Sequence, residues 1–414
     1  MRRPAGTRAD RDRPLQFHVL VLVTLGLVAF GLVMVFSASS GRAAVFAEDP
    51  AYYLKRQAIY AALGLVALLI LARTDFRVLR HAGGPLLAAS FVLLVAVLVL
   101  GTAVNGARRW LSLGFVEFQP SEVAKVALAL WLAAVLARRR APRSLADLSR
   151  PIGLVVLAAC ALILLEPDLG TATAIIVMVA ALLAVAGTPV RILGAAAGIA
   201  AFLALTAIWL EPYRRARFLA FLDPWADPDG TGFQTVQAMI ALGSGGLFGV
   251  GLGESVQKVH YLPEATTDMI VAIVGEELGL FGVAALVAAF AAFAWAGFTV
   301  ALQARDPFGK LLAAALTALV AGQALVNLSA VLGIAPLTGI PLPFVSYGGT
   351  SLVVSLSAVG ILLNIAANGA TREASARVPD RGRRDGRARA SVARGGRGAA
   401  PARRDRHVRR RAAR

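Results

Sequence analysis

The sequence predicts an all-α polytopic membrane protein of about ten transmembrane helices, with a large extracytoplasmic loop between spans 7 and 8. Three observations carry this. The 414 residues are 58% hydrophobic, and mean hydropathy is +0.70. Only 16% are charged, where a soluble domain uses roughly 25% to cover its surface. Apolar runs near the roughly 20 residues needed to cross the hydrocarbon core of a bilayer recur along the whole chain. The single cysteine, Cys160, lies in one of them, so no intrachain disulfide can form. The four histidines, His18, His81, His260 and His407, are scattered, which argues against a histidine-based zinc site.

The first apolar run covers residues 16–37 and ends in Ser37-Ala38-Ser39, small residues that imitate a signal-peptide cleavage site. It is too long for such a signal's apolar core and many spans follow, so it reads as a retained helix. Further runs cover 57–72, 84–101, 121–137, 151–165, 171–187, 191–211, 269–303, 308–335 and 345–367. An even number of spans puts both tails on one side. The expected organisation is a basic tail at 1–15, a transmembrane domain at 16–368 with an outer loop at 212–267, and an Arg-rich tail at 369–414. That last tail is nearly free of large apolar residues and is expected to be disordered. Net charge is +18, and residues 1–14 and 371–414 supply fifteen of those charges, with 21 Arg against 6 Asp/Glu. This fits polybasic tails beside anionic lipid at the cytoplasmic face of the membrane, and no nucleic-acid partner is expected.

With both tails cytoplasmic, spans 4, 6, 8 and 10 begin at the outer face. Each begins with a polar phrase: F-Q-P-S-E-V-A-K (118–125), E-P-D-L-G-T-A (166–172), L-P-E-A-T-T-D (262–268) and P-L-P-F-V-S-Y-G-G-T-S (341–351). Helix N-termini carry unpaired N–H groups and a positive dipole end, which suit phosphate. In span 4, Pro120 and Ser121 suit a helix start. Glu122 and Lys125 share a face, as an internal ion pair or as a lysine held for an anionic ligand. Upstream, Arg109 beside Trp110 is either an interfacial anchor or an anion ligand. Glu166 and Asp168 flank Pro167, where capping is the simpler role. Ser346 and Gly348 lie in a glycine-rich phrase that would form an anion-binding nest or a broken helix around a cavity. The glycines of 243–253 lack the Lys-Ser/Thr of a P-loop, so nucleotide binding is not expected.

The segment 211–267 is too long to be only a connector. It carries Arg214, Arg215 and Arg217, the phrase F-L-D-P-W-A-D-P (221–228), and an amphipathic piece at 233–242 expected to lie in the membrane interface. It then delivers Glu264 and Asp268 to the mouth of span 8, with Glu276 and Glu277 further inside. Ionisable groups inside a membrane are costly and mark function. Three arginines and a carboxylate at the loop's end fit a diphosphate site beside a general base.

Together with G-A-R-R-W-L (106–111), G-S-G-G-L-F-G-V-G-L-G (243–253) and G-E-E-L-G (275–279), these phrases resemble the SEDS family of bacterial cell-wall polymerases, the FtsW/RodA/SpoVE group. They run in family order between the tails. Y-L-P-E-A and G-E-E-L-G look more like the division branch, FtsW, than the elongation branch. Where the family usually has His before Thr-Asp and Phe-Ile-Phe after, this chain has Thr266 and Met269-Ile270-Val271. The resemblance implies a peptidoglycan glycosyltransferase acting on lipid II in cell division, with Asp268 as catalytic base. It implies substrate-binding roles for Arg109, Lys125, Arg214, Arg217, Ser346 and Gly348. Supporting roles fall to Glu122, Glu166, Asp168, Glu264, Glu276 and Glu277. Implied partners are a class B penicillin-binding protein and other divisome membrane proteins. The resemblance fixes no cofactor; a divalent cation (Mg or Mn) is a candidate to serve the leaving diphosphate, and the sequence identifies no metal ligands. The competing expectation is a lipid II flippase or a non-enzymatic scaffold, with Glu122, Lys125, Glu276 and Glu277 lining a path.

Overall fold

The computed structural model describes residues 13–46, 49–104, 107–114 and 116–376. Most of the two basic tails, 1–12 and 377–414, lies outside the described residues. The chain begins with α1 (Leu15–Phe46), α2 (Tyr52–Arg73) and α3 (Phe76–Leu100). A small antiparallel sheet follows, β1 (Thr102–Val104), β2 (Ala107–Leu113) and β3 (Val116–Phe118), with Leu111 opposite Phe118 and Ser112 opposite Glu117. Next come α4 (Pro120–Arg138), α5 (Leu145–Leu148), α6 (Leu154–Leu165), α7 (Leu169–Ala186) and α8 (Val190–Leu210). The long loop folds as α9 (Pro212–Leu222), α10 (Phe233–Gly245) and α11 (Gln257–His260). The chain then closes with α12 (Ile270–Gln303), α13 (Pro307–Val331) and α14 (Gly349–Ala376).

Ten helical segments among the described residues are long and apolar enough to cross a membrane, α5 and α6 counting as one continuous span. Their starts follow local chemistry. Asp75 caps α3 by accepting from the Arg77 N–H at 3.0 Å, and Asp306 caps α13 through Gly309 at 2.8 Å, with Pro307 in the first turn. The sequence expectation carries span 9 to 335 and starts span 10 at 345. Instead α13 stops at Val331, two residues before Gly333 in a left-handed conformation (φ +71°), and α14 starts only at Gly349. The second half of the intervening loop is mostly buried, from Ile340 to Ser346, while Leu332 and Ile334 are exposed, and Pro341 and Pro343 keep the chain from continuing either helix. α13 is the central post, with 83% of its span buried against 6% for α8. It packs against α12, α7 and α4, while α3 lies along α4 and α1 along α12.

α12 has 34 residues, about 51 Å at 1.5 Å per residue, against a hydrocarbon core of about 30 Å. Gly279 breaks it with φ +65° and ψ −161°, a conformation open essentially to glycine alone. The break leaves backbone groups unpaired, and the glycine-rich loop after α10 takes them up. Val250 N–H donates to Glu276 O at 3.0 Å and Gly251 N–H to Glu277 O at 3.1 Å. In return, Leu280 N–H donates to Gly246 O at 3.0 Å and Phe281 N–H to Leu247 O at 3.2 Å. This stretch is therefore a backbone brace inserted into a broken span. A Cβ on Gly279 would sit 2.5 Å from Leu247 O and from Gly249 N. Gly279→Ala is expected to lose about 1–3 kcal/mol from backbone strain before any clash is counted. Thermal melting of the purified protein in detergent checks this, and a melting point equal to wild type would contradict it.

The segment expected to lie in the membrane interface is α10. Thr235, Val236, Ala238, Ala241 and Gly245 form its buried face, which packs chiefly against α12. The apolar stripe read as lipid-directed is therefore largely used inside the protein.

Candidate active site

The polar starts of α4, α7, α12 and α14 meet around one loop, 337–348. Asn327 on α13 donates both amide hydrogens, to Asp268 O and to Ile340 O, each at 2.8 Å. Tyr347 N–H donates to Thr266 O at 2.8 Å, tying the same loop to the approach to α12. Thr350 at the start of α14 donates to Glu117 O at 2.9 Å and accepts from Gln119 N–H at 3.3 Å, which joins it to α4. Gln119 donates in turn to Asp168 Oδ2 at 3.4 Å. Asp168 caps α7, accepting from Thr171 N–H at 2.9 Å and Thr171 Oγ1 at 2.8 Å. Gly170 approaches this loop so closely that a Cβ would stand 2.8 Å from Thr338 O.

Asp268 is 8% exposed, and its carboxylate accepts a long bond, 3.4 Å, from Thr267 Oγ1 and is approached by its own backbone N–H. Burial, reinforced by the Glu264 carboxylate and opposed by Arg217, pushes its pKa up to about 7. Glu264 is exposed, sits at φ +56°, and accepts from Thr267 Oγ1 at 2.7 Å. Arg217 lies over the Tyr213 ring at 4.9 Å and donates weakly to Gln234 Oε1 at 3.5 Å. A carboxylate poised near neutrality, with one loosely held guanidinium within electrostatic reach, is thus delivered by α9 and the end of the long loop.

The other expected anion ligands are occupied. Arg109 Nε donates to Glu166 O at 2.8 Å, and its Nη2 donates to Pro167 O. Arg214 donates to Leu164 O at 2.6 Å and Ala207 O at 3.3 Å. Both guanidinia therefore hold the end of α6 through these backbone acceptors. Lys125 and Glu122 form an ion pair at 2.8 Å with both side chains buried. The glycine-rich phrase is not an open nest either. Tyr347 N–H is used on Thr266, Gly348 N–H goes to Gln57 Oε1 at 3.4 Å, and Ser346 Oγ accepts from Leu342 N–H at 2.8 Å. Gln57 also donates to Ser346 O at 3.0 Å.

Glu166 is fully buried, and neither carboxyl oxygen has a hydrogen-bond partner. Burial and the neighbouring Asp168, against the attraction of Arg109, push its pKa up to about 8, so it is mostly neutral at pH 7. Glu276 accepts from Ser255 Oγ and from Val256 N–H at 3.0 Å. Glu277 accepts from Ser37 Oγ at 2.7 Å and pairs with Lys258 Nζ at 2.7 Å. These two acids hold the loop 253–258 against α12 and α1. Among the described residues, no three His, Cys, Asp or Glu side chains group as metal ligands. Asn327, Gln57, Thr350 and Lys258 were not foreseen as parts of this network. Asn327 carried the one legible signal, an amide among mostly apolar residues of a membrane helix, shared with Gln323 one turn earlier.

Residues 17–371 match the family model of FtsW, RodA and SpoVE, described as cell cycle protein. The chain belongs to this family. It is similar to the probable peptidoglycan glycosyltransferase FtsW of Geobacter metallireducens, 44% identical over 351 residues, covering 84% of this chain and 93% of that one. It is also similar to stage V sporulation protein E of Bacillus subtilis, at 38% identity over 354 residues and 84% and 96% coverage. Two solved relatives share the FtsW/RodA/SpoVE fold. The rod shape determining protein RodA of Thermus thermophilus superposes with a TM-score of 0.62 at 31% identity, covering 84% of this chain and 95% of that one. A chain from a peptidoglycan synthase complex that coordinates polymerization and crosslinking gives 0.70 at 36%, covering 84% and 97%.

Proposed function

We propose that this chain is a peptidoglycan glycosyltransferase that polymerises lipid II in cell division. The observation that carries the chemistry is Asp268, a nearly buried carboxylate with a pKa near 7 where four polar helix mouths converge. It takes the proton from the 4-hydroxyl of one substrate as that oxygen attacks the anomeric carbon of the other. The bond to the lipid diphosphate breaks, and the diphosphate leaves with both electrons. One displacement inverts the centre, from α-diphosphate to β-1,4 link, so one base suffices and no enzyme nucleophile is needed. Arg217 is the cation placed to meet the developing negative charge.

All eight buried charged side chains among the described residues belong to the starts of α4, α7 and α12 or to the loop packed on α12. A translocation path would need polar groups through the full membrane depth, so this asymmetry supports polymerisation over flipping. On this reading the mouths face the exterior of the plasma membrane and both termini are cytoplasmic, as the tail arginines favour. A class B penicillin-binding protein and other divisome membrane proteins are the expected partners. The likeness to a chain of a peptidoglycan synthase complex supports the first.

Purified protein, alone and with its transpeptidase partner, should convert lipid II into glycan strands resolvable by gel. No strands under either condition would refute the reading. Because Asp268 must be ionised to act, activity is expected to rise with pH along a limb centred near 7, well above the ordinary carboxylate range. A limb below pH 5 would remove Asp268 from the role of base. Depletion in cells should give filaments; spheres would assign the protein to elongation.

A further inference from the structure

We infer that Asn327 is a positioning residue, whose amide fixes the backbone at Asp268 relative to the loop 337–348 and so sets where the base meets its substrate. The inference rests on the reading of Asp268 as that base.

Asn327 lies on α13, the most buried of the spans, and is itself 2% exposed. Its Nδ2 donates at 2.8 Å to Asp268 O and at 2.8 Å to Ile340 O. Both partners are carbonyls, so only the NH2 end can face them, and the orientation of the amide is dictated by chemistry. Its Oδ1 is buried without a partner, a loss accepted at this position only while both donors are used. One planar group thus fixes two chain segments that no helix holds. Asp268 precedes α12 by two residues, and Ile340 precedes α14 by nine. The Asp268 carboxylate has little to orient it, the 3.4 Å contact with Thr267 and its own backbone N–H. Its placement therefore depends on its backbone, which Asn327 ties at Asp268 itself and the Tyr347–Thr266 bond ties two residues earlier. A leucine at 327 keeps the branched four-atom shape at a somewhat larger volume and removes both donors. An aspartate keeps the shape but, when ionised, turns oxygens toward two carbonyls; when protonated, it restores one donor. Asn327 reaches the backbone of Asp268, and the charged groups that act on that residue's carboxylate are Glu264 and Arg217. The two carboxylates would hold an introduced acid above its ordinary pKa, so its titration falls within a usable range.

The test measures lipid II polymerisation by wild type, Asn327→Leu and Asn327→Asp. Displacing a catalytic group by about 1 Å costs on the order of 100-fold in rate. Asn327→Leu is therefore expected to lower kcat by about 10- to 100-fold with KM nearly unchanged. The activity of Asn327→Asp relative to wild type should climb as pH falls from about 8 to about 6, while that of Asn327→Leu stays flat. A second readout needs no turnover. A hydrophobic carbodiimide couples to protonated carboxyls, and mass spectrometry of the Asp268 peptide gives labelling against pH. In wild type, labelling should fall as pH passes about 7; in Asn327→Leu the fall should move to lower pH as the loosened segment hydrates. If wild type makes no strands, the polymerase reading fails, and the labelling shift still decides whether Asn327 places Asp268. Unchanged labelling, a rise in KM with kcat retained, or a pH-independent loss in Asn327→Asp would each reduce Asn327 to packing and overturn the inference.

Discussion

Asp268→Asn is expected to abolish strand synthesis, with a fall of at least about 100-fold and up to 10,000-fold, the range over which a positioned general base contributes. The substitution isolates chemistry from architecture. The backbone contact that Asp268 makes, its carbonyl with Asn327, survives an isosteric change. The side chain loses only the long contact with Thr267. Stability should not fall, and the sign can be worked out. Burial raises this carboxyl above its ordinary 3.8 to about 7, so between those values the folded chain binds more protons than the unfolded one. Stability therefore declines as pH rises through that window and levels off above it. A neutral asparagine escapes the penalty. At pH 7.5 the variant should melt no lower than wild type while making no strands. Retained synthesis would show that the sugar hydroxyl is deprotonated elsewhere; a lower melting point would mean that the carboxylate holds the fold together.

The spans were legible because lipid-facing and buried helices both need long apolar runs, and nothing else in a chain does. Hydropathy fails where an apolar stretch is not helical, as at 332–348, where Pro341 and Pro343 were the available warning. Asp268, Glu122, Lys125 and the acids flanking Pro167 were legible for the opposite reason: charge in an apolar setting is conspicuous. Their partners were less so. Arg109 and Arg214 read as diphosphate ligands because a guanidinium in sequence advertises its charge. The acceptors they use, the carbonyls of Leu164, Glu166, Pro167 and Ala207, carry no mark in a residue string. Asn327 and Gln57 were missed for the same reason, since each recognises backbone. Side-chain chemistry can be read ahead of structure; side-chain-to-backbone recognition depends on where the chain returns, and that is a product of folding.

The largest stability effect is expected at Lys258. Its ammonium and the Glu277 carboxylate are 2.7 Å apart and 2% and 0% exposed. Lys258 also donates to Gly253 O at 2.7 Å and Ser37 Oγ at 3.3 Å. Lys258→Met removes one charge and leaves the other buried with Ser37 as its remaining partner, a change that costs about 3–5 kcal/mol in buried pairs. Lys258→Met with Glu277→Gln removes both charges and should recover most of that loss, since the desolvation penalty disappears along with the attraction. Melting of wild type, Lys258→Met, Glu277→Gln and the double variant in one detergent gives the coupling directly. Near-additive losses would mean the two groups stabilise the fold independently and the pair is not the clamp it resembles. The comparison also bears on function, because Lys258 anchors the loop ten residues before Asp268. In the double variant the backbone bonds of the brace, Val250 to Glu276 and Gly251 to Glu277, still hold that loop in the break of α12. A double variant that regains its melting point should therefore regain strand synthesis. If it regains stability alone, the charges themselves contribute to the field around the site, and Glu277 acts on the reaction at a distance as well as on the fold.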